Sequence, residues 1–353
     1  EQQIIKLLKV QFEIDAVRIK KLVGYDNLNL KVTSGQGVDY VLKIHESTSD
    51  QSLCQAESKL LEHLAITFPG RFPETVKAKK GLCCVQENDR LYRLLNWLEG
   101  EFLSDCYHTS SLIQNFGRFV GEMNLAIGDY YDPVIAARNY SWDLQRFLDI
   151  EKKSDTIADP SVKRLVDHYL LQFKEYILSE LPGLRKSILH NDINDHNVLV
   201  ENGRVSGLID FGDVVYAPLI QEVAAAITYI MMDKEEPLDW AVCFLKSYHE
   251  ILPLKEQEID LLYYLVAARL CVSLIHSFEA MASGTADEYT LVSQKPALDL
   301  LQRWIAISPE KTARIFREAL GMDVPPATDY KKELSRRFEH IGKSVSISYR
   351  KPV

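Results

Sequence analysis

The stretch that decides the fold is "ILHNDINDHNVLV", residues 188–200, together with "LIDFGDVVY", residues 208–216. Apolar runs flank both, and between the runs stand His190, Asp192, Asn197, Asp210 and Asp213. A charge among buried strands must be paired or bound to a cation, so this loading points to chemistry. "VLVENGRVSGLI" (198–209) reads as a hairpin turning at Asn202-Gly203, which brings Asp210 back beside Asn197. Asp192 and Asn197 then line one pocket from a single loop. Asp192 is placed to accept the proton of an acceptor hydroxyl and to orient it. The Asn197 oxygen and the Asp210 carboxylate suit a hard, oxygen-seeking cation such as Mg2+. His190 reads as a brace for the loop backbone.

Upstream, "YVLKI" (40–44) puts Tyr40, Leu42 and Ile44 on one strand face and Val41 and Lys43 on the other. The next helix carries Leu53, Ala56, Leu60, Leu61 and Leu64 as an apolar stripe, and Glu57 falls inside it. A carboxylate on a buried face needs a cation, and Lys43 is the nearest in sequence, so a Lys43–Glu57 pair is expected. That arrangement resembles the protein-kinase Lys–Glu pair, whose Lys contacts nucleotide phosphates. The turn "GYDNLN" (24–29), with Asn27, is placed to donate to phosphate oxygens, whereas "GQG" (35–37) reads as a plain hairpin. "RLLNWLEG" (93–100), with Asn96, is the expected connection along a purine edge. Neither G-x-G-x-x-G nor G-x-x-x-x-G-K-[ST] occurs, which argues against a Rossmann site and a P-loop.

The rest of the chain frames this site. An amphipathic helix over 1–14 precedes three β-like runs, 16–23, 28–34 and 38–45, a helix over 52–66 and two strands within 73–98. Helical patterns then cover 109–128, 141–150, 160–180, 219–233, 238–250, 256–280, 294–306 and 309–319. The expected fold is α+β with two lobes: a small antiparallel β lobe (1–98) for nucleotide, a large helical lobe (99–322) for catalysis and acceptor, and a tail (323–353). The net charge of −9 over 353 residues argues against nucleic acid and for an amine-bearing ligand. No apolar run reads as a membrane span. Six cysteines without zinc-like spacing read as reduced thiols of a cytoplasmic protein.

Several polar residues keep two readings open. Asp195 and His196 brace the loop or face the acceptor. Asp213 caps a turn or holds an acceptor amine. Glu222 and Arg269, in strongly apolar helices, form a buried structural ion pair or bind acceptor. Arg138 and Arg118 are candidate partners for an acceptor carboxylate.

"LHNDINDHNVLV" followed by "GLIDFGDVVYAPLIQEVA" resembles the aminoglycoside phosphotransferase/choline kinase superfamily, and within it the hydroxylysine kinase-like members. The usual glycine between the His and the Asp is Asn191 here. The resemblance implies a protein-kinase-like fold and a phosphotransferase using ATP or GTP and Mg2+. It implies Asp192 as catalytic residue, Asn197 and Asp210 as metal ligands, Lys43 as phosphate contact and Glu57 as its partner. The acceptor it implies is an amino alcohol or hydroxy amino acid, with aminoglycoside, choline and homoserine as alternatives, or a non-catalytic regulatory module. "RRFEHIGKSVSISYRKPV" (336–353) is similar to the opening of class III PLP aminotransferase domains, which implies fusion to such a domain.

Overall fold

A computed structural model describes residues 1–22, 28–46, 51–286 and 294–324. Asn27 and nearly all of the tail lie outside these residues, and with them the readings of the phosphate turn and of a fused domain.

The chain opens with α1 (Gln2–Phe12), then β1 (Ala16–Lys21), β2 (Leu28–Ser34), β3 (Asp39–Glu46), α2 (Gln51–Thr67), β4 (Thr75–Val76), β5 (Val85–Glu87) and β6 (Arg90–Asn96). All pairings are antiparallel, in the order β1-β2-β3-β6-β4, with β5 also on β6. Where the sequence suggests two strands in 73–98, three short ones form. Both faces of this sheet are covered, which explains the near-continuous burial of β6. Leu30, Val32, Leu42, Ile44, Tyr92 and Leu94 pack with Leu7, Leu8 and Phe12 of α1. Lys43, Arg93 and Leu95 occupy the opposite face, where α2 contributes Ala56, Leu60, Leu61 and Leu64 to the main core. Lys43 is accordingly buried, at 8% exposed, and not a solvated strand lysine.

The large part contains β7 (Glu101–Phe102), α3 (Ser110–Ile127), α4 (Pro133–Ala136), a 3₁₀ stretch (Leu144–Thr156) and α5 (Pro160–Gln172), which a π turn (Phe173–Ile177) extends. β8 (Lys186–Leu189), β9 (Val198–Glu201), β10 (Arg204–Leu208) and β11 (Val215–Pro218) follow. Then come α6 (Ile220–Met231), α7 (Pro237–Ile251), α8 (Glu256–Ser283), α9 (Gln294–Trp304) and α10 (Pro309–Ala319). Local signals set the helix starts. Thr109 accepts from the Leu112 N–H, and Asp159 and Ser308 cap helices that begin with proline. The helix expected over 141–150 is 3₁₀ instead. α3 and α7 approach closely at Gly117, where an added Cβ would lie 2.3 Å from the Phe244 carbonyl oxygen. α8 corrects the expectation of no membrane-length apolar run. It is long and apolar enough to cross a membrane, but 89% of an 18-residue apolar segment within it is buried in the protein's own core.

Candidate active site

β8 and β11 pair antiparallel, Leu189 opposite Val215, while β9 and β10 form the expected hairpin. Asn202 and Gly203 both adopt positive φ, 51° and 72°, the geometry a tight primed turn needs. The Ile209 N–H donates to the Asn197 carbonyl, 2.9 Å, and this closes the hairpin base with Asp210 next to Asn197.

The loop between β8 and β9 is held from beneath. The Glu222 carboxylate, fully buried on the first turn of α6, accepts the His190 N–H (2.8 Å) and the Asn191 N–H (2.9 Å). Burial pushes this carboxyl up to about 7, and the two backbone N–H groups and Arg269 oppose that rise. Asn191 has φ 69°, in the left-handed region where glycine is strain-free and asparagine is the best-tolerated substitute. The departure from glycine therefore leaves the turn intact. His190 bonds the Ile209 carbonyl through Nε2 (2.9 Å), accepts the Asp192 N–H at Nδ1 (3.3 Å) and packs edge-on against Phe211. Burial lowers its pKa.

Asp192 is fixed from three sides. Asn194 Nδ2 (2.8 Å) and Asn197 Nδ2 (2.9 Å) donate to Oδ2, and Arg269 Nη2 (2.6 Å) donates to Oδ1. Asn197 also donates to the Asp192 carbonyl, 2.9 Å. Its amide nitrogen is thus committed to Asp192, and its oxygen is the end left for a cation. Across from it, Lys43 Nζ reaches Asp210 Oδ1. Burial works against the Asp210 charge, but Lys43 beside it holds the carboxyl below its ordinary range. Asp210 has φ 64°, and its Oδ1 also accepts the Gly212 N–H at 3.4 Å. Among the described residues no group of three or more His, Cys, Asp or Glu forms a protein-only metal cage. One carboxylate and one carboxamide oxygen fit Mg2+, which keeps water and phosphate oxygens for its other positions.

Two expected pairings are replaced. Glu57 pairs with Arg93, not with Lys43. Lys43 and Arg93 are direct cross-strand partners on β3 and β6, so both point toward α2. Arg93 takes the helix carboxylate, and Lys43 turns to Asp210. Likewise Glu222 and Arg269 do not pair, because Glu222 serves the loop backbone while Arg269 holds Asp192.

The other candidates divide by place. Asp213 Oδ1 accepts the Tyr140 hydroxyl at 2.6 Å, and Arg138 Nη1 donates to the Val214 carbonyl at 2.8 Å with its guanidinium 4.1 Å from the Tyr140 ring. Burial and the carboxylates of Asp192 and Asp210 push Asp213 up to about 8. Asp195 pairs with His196 (3.1 Å), and its carbonyl accepts the Ser104 N–H. The Asn96 side-chain oxygen accepts the Glu74 N–H, 2.7 Å, which ties β6 to the segment entering β4. Arg118 pairs with Glu250 and lines a separate surface cavity with Arg71 and Glu122, apart from Asp192. The residues missed in sequence are Arg93 and Asn194. Asn194 lay inside the quoted loop, two residues beyond the Asp it holds.

Fold and site together define a small-lobe/large-lobe kinase scaffold. A family model described as "Phosphotransferase enzyme family" matches residues 19–253, most of the chain, and the protein belongs to that family. It is a phosphotransferase acting on hydroxyl groups of small molecules. The chain is similar to mouse hydroxylysine kinase, 24% identical, with 95% of each chain covered. It is also similar to homoserine kinase of Methylobacillus glycogenes, 26% identical over 67% of this chain and 71% of the relative. Among solved structures, a microcompartment-associated aminopropanol kinase matches with a TM-score of 0.69 at 17% identity, over 89% of this chain and all of the other.

Proposed function

We propose that the protein transfers the γ-phosphoryl of ATP or GTP, with Mg2+, to the hydroxyl of a hydroxylysine-like amino alcohol or hydroxy amino acid. The observation that carries this reading is the convergence of Lys43, Asp210, Asn197 and Asp192 within one network of contacts. When bound, Mg2+ offsets charge on the phosphates. Asn197 Oδ1 and Asp210 would hold it, and Lys43 would pass from Asp210 to a phosphate oxygen. Asp192 aligns the acceptor oxygen with phosphorus and takes its proton, and positioning supplies most of the rate. Asp213 would ionise as an acceptor ammonium approaches and so would hold an amine, and Arg138, over the Tyr140 ring that bonds Asp213, would meet a carboxylate. The acceptor class is supported by hydroxylysine kinases of several vertebrates, which match 90% or more of this chain, whereas the homoserine kinase of M. glycogenes aligns with 67%.

A nucleotide-consumption screen over hydroxylysine, aminopropanol, homoserine, choline and aminoglycosides, with ATP or GTP and Mg2+, tests the proposal. Turnover is expected with an amino alcohol or hydroxy amino acid. Divalent-dependent nucleotide binding without turnover on any acceptor would overturn it in favour of a regulatory module.

A further inference from the structure

We propose that Arg269, from α8, is a positioning residue that selects which oxygen of Asp192 receives the acceptor hydroxyl. The inference rests on the reading of Asp192 as the group that faces the acceptor. Arg269 is 1% exposed, and its Nη2 donates both to Asp192 Oδ1 (2.6 Å) and to the Tyr229 hydroxyl (3.0 Å). Its Nη1 reaches the Asn191 carbonyl at 3.4 Å. The guanidinium carbon lies 4.9 Å from the Trp142 ring centroid and 5.4 Å from that of Tyr229, so packing as well as hydrogen bonds holds it. So enclosed a side chain offers no surface to an acceptor carboxylate, and its charge serves Asp192.

Counting the donors on Asp192 locates the open position. A carboxylate has about four acceptor sites, two per oxygen. Oδ2 receives two amide donors, from Asn194 and Asn197, and is full. Among the described residues Oδ1 receives one, from Arg269, and keeps one lone pair. The acceptor O–H therefore docks on Oδ1, the oxygen that Arg269 grips. In the transfer the acceptor oxygen bonds to the γ-phosphorus and the bond from that phosphorus to the bridging oxygen breaks. The electron pair leaves with the nucleoside diphosphate, and the acceptor proton moves to Asp192 Oδ1. With Oδ1 fixed by Arg269, Asp192 aims the alcohol at phosphorus, the positioning that a loose phosphoryl-transfer transition state relies on.

The test compares Arg269→Met, Arg269→Lys and Tyr229→Phe with the parent. The readouts are kcat, the KM of nucleotide and of acceptor, and the ratio of acceptor phosphorylated to nucleotide consumed. Arg269→Met is expected to lower kcat by about 100-fold, the scale of a misplaced reacting group, with nucleotide KM unchanged and the transfer ratio reduced. Arg269→Lys should recover part of the kcat. Tyr229→Phe, which leaves every charge in place, should show the same signature more weakly and keeps the test open if Arg269→Met does not fold. Parental kcat and transfer ratio in Arg269→Lys and Tyr229→Phe, whatever their melting temperatures, would overturn the inference. Asp192→Asn separates the two levels. If it is inactive while the Arg269 variants transfer normally, only the role of Arg269 fails; if it transfers at the parental rate, the reading of Asp192 fails with it.

Discussion

Removing Glu57 should expose which cation it depends on. Glu57 and Arg93 are 4% and 2% exposed, and each is the other's direct ionic partner. Deleting one member of such a pair leaves an uncompensated buried charge and costs about 3–5 kcal/mol, whereas replacing both by packed apolar side chains is often neutral or stabilising. Arg93 also has Nε and Nη2 buried without a partner among the described residues. Each unfilled buried donor carries a desolvation cost of about 1–3 kcal/mol, so removing Arg93 along with Glu57 relieves that cost too. Glu57→Leu and Arg93→Met are each expected to be strongly destabilising, and the double variant less so than either. Urea unfolding of the four proteins closes a double-mutant cycle, and the coupling should lie at or above the top of the usual range of about 0.5–3 kcal/mol. A parallel cycle of Glu57→Leu with Lys43→Met should give a clearly smaller coupling. Equal or larger coupling of Glu57 to Lys43 would refute the pairing.

Gly117→Ala drives a methyl group into the Phe244 carbonyl at the α3–α7 contact, and should destabilise by about 3 kcal/mol or more in the same urea assay. Asn191→Gly should fold and turn over like the parent, while Asn191→Val should lose about 1–2 kcal/mol from its left-handed backbone, measured as a lower melting temperature. Burial, with Lys43 and Arg93 nearby, lowers His45 to about 4, so the unfolded chain takes up its proton first as pH falls. Stability should therefore drop between the ordinary histidine value of 6.5 and about 4, by at most about 3 kcal/mol, and His45→Phe should flatten that slope in unfolding curves across pH.

The site loop was legible because its residues are close in sequence. The hairpin turn at Asn202-Gly203 fixes a register, and that register brings Asp210 to Asn197 whatever the rest of the chain does. The strand parity of Lys43 and the stripe around Glu57 were equally local. What failed was pairing across distance. Arg93 lies 36 residues beyond Glu57, and only the β3–β6 register, which no local pattern specifies, sets it opposite Lys43. The same limit hid the partner of Arg269. Burial in α6 and α8 marked Glu222 and Arg269 as needing partners, but both helices pack beneath the loop, so each polar group found the loop and not the other helix. Asn194 was hidden differently, since a loop asparagine beside a carboxylate has no signature until the loop is closed. The α8 helix shows why composition misleads about surroundings: a central core helix is as apolar as a membrane span.

Phosphoryl transfer itself can be followed by 31P NMR, with nucleotide, Mg2+ and hydroxylysine, in the parent and in Asp192→Asn. A growing phosphomonoester signal is expected for the parent and none for Asp192→Asn, although the variant still binds nucleotide. A phosphomonoester signal that grows as fast with Asp192→Asn as with the parent would contradict the role of Asp192.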